Sequence, residues 1–180
     1  MPLPQTVIRC CQLSMIEEQF DYSKLTELPF GLPAKVFRSP MPFGSYDPRR
    51  AVFQEAIERG VQVIVDLVPD DEAELKTGLA LRNFYWQNNL HVLYNPIVDF
   101  GIPDPVGLKG TLKAAIVELL KGRSVMVHCN AGFGRTGVFI GCMARQVLML
   151  DGIQAVNWVR KYIPTSLENE MQVNFVQAWQ

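Results

Sequence analysis

The sequence predicts an α/β domain built on a central, largely parallel twisted sheet flanked by helices. Three observations carry that expectation. Short apolar runs rich in β-branched residues, Val61–Val68 foremost, read as strands buried on both faces. Stretches with helical periodicity and recognisable caps lie between those runs, and no internal repeat breaks the alternation. The length of 180 residues suits a single domain with a sizeable core. Residues 1–33 read as an irregular lead-in packed on the domain, and residues 34–180 as the domain itself.

The elements follow in order. Leu28-Pro29-Phe30-Gly31-Leu32-Pro33 is a turn cluster, and Ala34-Lys35-Val36-Phe37 after it is a strand. A helix is expected from Pro48 to Arg59, with Asp47 as N-cap and Gly60 as stop. After the Val61–Val68 strand, Asp70 or Asp71 caps a helix over roughly 72–88, and His91–Tyr94 is the next strand. Pro105–Leu120 carries a helical pattern with Asp104 as N-cap and Pro105 in the first turn, ending near Gly122. The strand Ser124–His128 runs straight into Cys129. Residues 136–150 are apolar on nearly every side, as in a helix at the centre of a domain. Helices over 152–162 and 166–179 complete the chain, the last opened by a capping box of Thr165 and Glu168.

Composition narrows the function. Lys and Arg number 17 against 18 Asp and Glu, for a net charge of −1, so bulk attraction of polyanions is excluded and no nucleic-acid stripe is present. The most apolar stretch, Gly137–Leu150, is interrupted by Arg145 and is too short for a membrane span. The N-terminus lacks the basic-then-apolar layout of a signal peptide, which predicts a cytoplasmic protein whose four Cys are free thiols. Cys10, Cys11 and Cys142 read as small packed side chains, and Trp86, Trp158 and Trp179 as core or edge aromatics. His91 has no Cys or His at ligand spacing, so no metal or other cofactor is expected.

The chemistry concentrates in His128-Cys129-Asn130-Ala131-Gly132-Phe133-Gly134-Arg135-Thr136-Gly137, between a buried strand and a buried helix. Two glycines among the five residues separating Cys129 from Arg135 let the backbone curl with its N–H groups inward. The helix that starts near Arg135 adds unpaired amides and the positive end of its dipole. Such a cup, formed by Asn130, Ala131, Gly132, Phe133 and Gly134, binds a tetrahedral oxyanion, and Arg135 offers a planar fork to two of its oxygens. The same positive field favours the thiolate of Cys129, a nucleophile aimed at phosphorus. Thr136 is placed to donate its hydroxyl to that sulfur. An acid for the leaving oxygen is also needed, and Asp99 and Asp104 are the candidates, in the loop Asn95–Asp104. Asp104 already caps a helix, which leaves Asp99, on a loop expected to close over substrate.

His-Cys-x5-Arg-Thr-Gly resembles the signature loop of the cysteine-dependent protein tyrosine phosphatase superfamily. The compact length resembles its dual-specificity branch. The resemblance extends over roughly residues 34–179, and its specific part is the ten-residue loop. It implies a phosphatase-like fold, Cys129 as the nucleophile of a phosphocysteine intermediate, Arg135 as the phosphate clamp and Thr136 as the hydroxyl partner of the sulfur. It further implies that His128 shapes the loop and tunes the thiolate without acting as a base. Pro96-Ile97-Val98-Asp99 resembles the Pro-x-x-Asp element that delivers the acid, and Gln172 resembles a glutamine that positions the hydrolytic water.

The expected reaction is therefore metal-independent hydrolysis of a phosphomonoester, on phosphotyrosine and also phosphoserine or phosphothreonine of a protein, or on a small phosphomonoester. Phosphoinositide, inositol-phosphate or RNA 5′-phosphate hydrolysis is the alternative within the enzyme class. A non-catalytic phosphate-binding pseudophosphatase is the alternative outside it. Asn130 and Phe133 stand where a highly charged substrate would call for lysines, which favours peptide or aryl phosphates.

Overall fold

The structure, a computed structural model, describes residues 20–180, so Cys10 and Cys11 fall outside the described residues. Five strands form one sheet in the order β1-β2-β5-β3-β4: β1 (Thr26–Leu28), β2 (Val36–Ser39), β3 (Val61–Asp66), β4 (His91–Tyr94) and β5 (Ser124–His128). Among the described residues only the β1–β2 pair is antiparallel; β2–β5, β5–β3 and β3–β4 are parallel. The helices are α1 (Val52–Glu58), α2 (Asp70–Thr77), α3 (Leu81–Gln87), α4 (Pro105–Leu120), α5 (Gly134–Val147), α6 (Gly152–Tyr162) and α7 (Glu170–Ala178). The expected α/β architecture with a mostly parallel sheet is the one observed.

β5 is central because it is apolar on both faces. Val125, Met126, Val127 and His128 are all fully buried, and each aliphatic side chain removed from water contributes about 1.5–3 kcal/mol. The register pairs Arg38 with Val127 on one side and Val65 with Val127 on the other. α5 continues from the end of β5 and is buried from Gly134 through Ala144, packed against α4, α6 and α7. Ligands of open parallel sheets bind at the carboxyl ends of the strands. The segment joining β5 to α5 occupies that position between the exits of β2 and β3.

Local signals set several elements as expected. The Asp104 carboxylate accepts from the Gly107 amide and caps α4, with Pro105 in its first turn. α6 lies where a helix over 152–162 is expected, and it opens on a reciprocal capping box of Asp151 and Gln154 that is not among the sequence expectations. Four expectations need correction. The lead-in holds the edge strand β1, so it is not wholly irregular. α1 begins at Val52 rather than Pro48, because Arg50 has a positive φ of 52° and Asp47 caps the preceding turn, accepting from the amides of Phe43 and Ala51. The helix expected over 72–88 is two helices, broken at Gly78 with φ of 73°. The last helix starts at Glu170 with Asn169 as its cap, since Thr165 and Leu167 hold positive φ values of 64° and 60°. Cys142, Trp158 and Trp179 pack in or against the core, whereas Trp86 stands 75% exposed.

Candidate active site

Cys129 directly follows β5 and is almost fully buried, and the Gly132 amide points at its sulfur at 3.3 Å. The loop after it is shaped by its carbonyls. His128 O accepts from Leu67 N at 3.1 Å, and Cys129 O faces His128 Nδ1 at 3.3 Å. Asn130 O accepts from Met41 N at 2.9 Å. Ala131 O and Gly132 O accept from the guanidinium of Arg38 at 3.3 and 3.2 Å, and Phe133 O from the Ser166 hydroxyl at 2.8 Å. All of these consecutive carbonyls except that of Cys129, which faces the neighbouring His128, are engaged from outside the loop. Because a trans peptide sets its N–H opposite its C=O, the following amides turn inward. The Gly132 amide is turned in this way onto the Cys129 sulfur.

Gly132 carries the turn. Its φ is 80°, and a Cβ there would collide with the Ser39 carbonyl, so only glycine fits.

Arg135 lies at the first turn of α5 with its guanidinium nearly enclosed. Its two Nη atoms donate to the two oxygens of Glu72 at 2.8 and 2.9 Å, Nη1 also donates to Ile97 O at 3.1 Å, and Nη2 lies 3.0 Å from Asp99 Oδ1. Burial alone would lower its pKa, but Glu72, the Cys129 sulfur and Asp99 together hold it above the ordinary arginine value. The Glu72 carboxyl in turn is desolvated, and the hydrogen bonds from Arg135 and Lys76 overcome that and hold it below the ordinary range.

Asp99 therefore comes to the site, and Asp104 does not, being occupied as the α4 cap. The loop carrying Asp99 is fastened at both ends. Asn95 N and Ile97 N bond to Asp66 O and Leu67 O of the β3 exit. Asn169 Nδ2 donates to Phe100 O at 2.9 Å and Gln172 Nε2 to Gly101 O at 3.2 Å. Gln172 is fully buried, its Oε1 accepting from Glu168 N, so it is no surface decoration on α7.

His128 is fully buried behind the loop. Its Nε2 is 3.0 Å from the Tyr85 hydroxyl, and Asp66 Oδ1 stands 3.7 Å from the same nitrogen. A carbonyl only accepts, so Nδ1 carries the proton toward Cys129 O and Nε2 accepts from Tyr85. Burial keeps His128 below its ordinary value despite Asp66, and it raises Asp66 despite His128. Thr136 is also fully buried, but its hydroxyl is without a hydrogen-bond partner among the described residues. The expected bond to sulfur is thus not made in this structure, where an amide approaches the sulfur instead.

Sequence reasoning missed three residues here. Glu72 falls inside the helix expected over 72–88 and is given no role there; nothing local marks a partner 63 residues away. Arg38 did carry a signal, as a charge inside the run Val36-Phe37-Arg38-Ser39, all of it buried. Glu168, expected to cap a helix, lies with its carboxylate against Gly134 at the start of α5. Desolvation and the nearby Asp99 hold that carboxyl above the ordinary range, against Arg135 and the Gly134 backbone.

Residues 42–148, more than half of the chain, match the family described as "Tc-R-P: Polymorphic toxin system, DSP-PTPase phosphatase". The chain is 30% identical over 108 residues to the mouse protein "Protein tyrosine phosphatase domain-containing protein 1", a match that covers 60% of this chain and 13% of that protein. It thus spans a small part of the length of that relative. Among solved structures, kinase associated phosphatase with its catalytic-site cysteine replaced by serine superposes with a TM-score of 0.76 at 17% identity, covering 84% of this chain and 90% of that one. Tk-PTP in its active form superposes with a TM-score of 0.66 at 25% identity, covering 79% and 88%. The cup, its cysteine and arginine, the sheet that carries them and these matches agree: the chain belongs to the cysteine-dependent tyrosine phosphatase superfamily, dual-specificity-like branch, within the DSP-PTPase phosphatase family of polymorphic toxin systems.

Proposed function

We propose that the protein hydrolyses phosphomonoesters in two steps through a phosphocysteine at Cys129. The observation that carries this reading is the cup itself, with a cysteine at its floor, an amide aimed at the sulfur and a fixed guanidinium at its edge. In the first step the sulfur attacks phosphorus in line and an S–P bond forms as the P–O bond to the leaving group breaks. Asp99 gives its proton to the departing oxygen, while loop amides and Arg135 meet the charge on the equatorial oxygens. In the second step water attacks phosphorus, its proton goes to the Asp99 carboxylate, and the sulfur leaves as thiolate with release of inorganic phosphate. Both Nη atoms of Arg135 are held by Glu72, and Nη2 also by Asp99. A phosphate that takes Nε and Nη2 therefore releases Asp99 toward the leaving group.

His128 acts by holding the Cys129 carbonyl, and Gln172 by fixing the acid loop beside the position of the hydrolytic water. The preferred substrate is a phosphotyrosyl peptide or aryl phosphate, with phosphoserine and phosphothreonine as further protein substrates. Three aromatic rings support it: Phe133 of the cup packs edge-on against Tyr22 at 4.7 Å and Tyr46 at 6.2 Å, and Tyr46 is exposed. The family description supports a setting as the phosphatase domain of a polymorphic toxin system.

The test is turnover of phosphotyrosine and phosphothreonine peptides, RNA 5′-triphosphate ends and inositol phosphates, with and without chelator, beside Cys129→Ser. Activity on phosphotyrosine that survives chelation and vanishes in Cys129→Ser is the expected result. Equal turnover by Cys129→Ser in a clean preparation would overturn the nucleophile, and binding without turnover by the unmutated protein would make it a pseudophosphatase.

A further inference from the structure

Arg38 is a fully buried cation on β2. Its bonds go to main-chain carbonyls: Nη1 to Tyr22 O at 3.1 Å and Lys24 O at 3.0 Å, Nε to Gly132 O at 3.2 Å and Nη2 to Ala131 O at 3.3 Å. Its guanidinium is also packed among the rings of Phe20, Tyr22 and Phe133, 5.2, 5.9 and 5.4 Å from their centroids. A planar fork that donates in three directions while stacked on rings is chemistry that only arginine supplies. Burying a cation without a bonded carboxylate is costly, and an apolar side chain would fill such a site without that cost.

The geometry shows what the cost is spent on. Turning the Ala131 carbonyl outward turns the Gly132 amide inward, and that amide is the one 3.3 Å from the Cys129 sulfur. Turning the Gly132 carbonyl outward does the same for the Phe133 amide. We propose that Arg38 is a positioning residue of the phosphate cup: it holds two loop carbonyls outward so that their amides converge on the sulfur and the bound oxyanion, and it sets a second fixed positive charge behind them. The role rests on the phosphate-cup reading above. Burial draws the Arg38 guanidinium down to about 10, which leaves it cationic at neutral pH, and the group that most opposes that burial is the Cys129 sulfur, ahead of Tyr22 and Asp21. Other charged or titratable groups at that end of the sheet are Arg135 on α5, His128 on β5, Asp66 at the end of β3, and the carboxylates of Glu72, Asp99 and Glu168 around Arg135.

The experiment is tungstate binding by calorimetry in the full chain carrying Cys129→Ser, alone and combined with Arg38→Lys or Arg38→Met, with melting curves and loop-amide chemical shifts for each. Arg38→Met is expected to weaken tungstate by about tenfold or more, the scale of one charge-assisted hydrogen bond. Arg38→Lys keeps the charge and the stem and is expected to fall between, with the Gly132 and Phe133 amide resonances shifted and those of β4 unmoved. The Lys variant also guards against loss of fold in the Met variant. Parent-like tungstate affinity and loop shifts in a folded Arg38→Lys or Arg38→Met would overturn the role while leaving the cup intact. Failure of the parent Cys129→Ser chain to bind tungstate would overturn the cup and this inference together.

Discussion

Arg135 clasps Glu72 through two parallel N–H···O bonds, of 2.8 and 2.9 Å, across 63 residues of sequence. A guanidinium held on one edge by a carboxylate has its orientation settled before substrate arrives, so no side-chain ordering is spent on binding.

Glu72→Gln is expected to lower kcat/KM by about tenfold to a hundredfold, the loss of one to two charge-assisted bonds. Lys76 pairs with the same carboxylate at 2.8 Å from the solvent side, and Lys76→Gln is expected to cost under about 1 kcal/mol and leave the kinetics unchanged. Because Glu72 titrates below its ordinary 4.5, its stabilisation is present above that value and is lost as pH falls through the lower folded-state value. Steady-state rates and urea melts on both variants decide the matter; equal effects would remove the orienting role.

Asp99→Ala is expected to slow alkyl phosphates by about a hundredfold or more and p-nitrophenyl phosphate far less, since a good leaving group needs little proton. Asp104→Ala, which removes the cap accepting from Gly107, is expected to cost about 1 kcal/mol of stability with no leaving-group dependence. A leaving-group series measured on both variants checks the assignment, and the reverse pattern would transfer the acid to Asp104.

Glu168 places a negative charge beside an anion cup. Glu168→Gln is expected to tighten tungstate binding several-fold at neutral pH. The carboxyl is held above its ordinary 4.5, so it protonates early on acidification and the parent then approaches the variant. Titration calorimetry at two pH values tests this, and unchanged or weaker binding in the variant would mean that Glu168 does not compete with the oxyanion.

Asp66 is fully buried, with one oxygen accepting from Val68 N and the other unpartnered among the described residues. Burial raises its pKa above the ordinary 3.8. A carboxyl that binds its proton more tightly when folded adds stability below the unfolded-state value, and that stability is lost as pH rises through the folded-state value. Asp66→Asn keeps the acceptor for Val68 without the charge, so its stability is expected to fall less than the parent's from about pH 4 to about pH 7. Parallel melts across that range measure it.

What could be read from sequence was local. Asp104, Pro105 and Gly122 bracket one helix within 19 residues, so each signal lies beside the element it sets. Cys129 to Arg135 was legible for the same reason: one continuous segment holds both the proposed nucleophile and the proposed clamp. Glu72 and Arg38 meet that segment across 63 and 94 residues, distances over which spacing carries no information. The misplaced starts of α1 and α7 trace to Arg50, Thr165 and Leu167, non-glycine residues in a left-handed conformation that their side chains do not advertise.

Half of the outward carbonyls of the cup, those of Asn130, Ala131 and Gly132, are held by Met41 and Arg38 at the exit of one strand. That strand meets β5 in a single register, Arg38 beside Val127 and Ser39 beside His128. Slipping it by one residue would move the guanidinium to the opposite face and release those carbonyls together. The pairing joins segments about half a chain apart and is among the slower contacts to close during folding. Until the sheet has zipped in register, those three carbonyls lack their partners and Cys129 is an ordinary thiol.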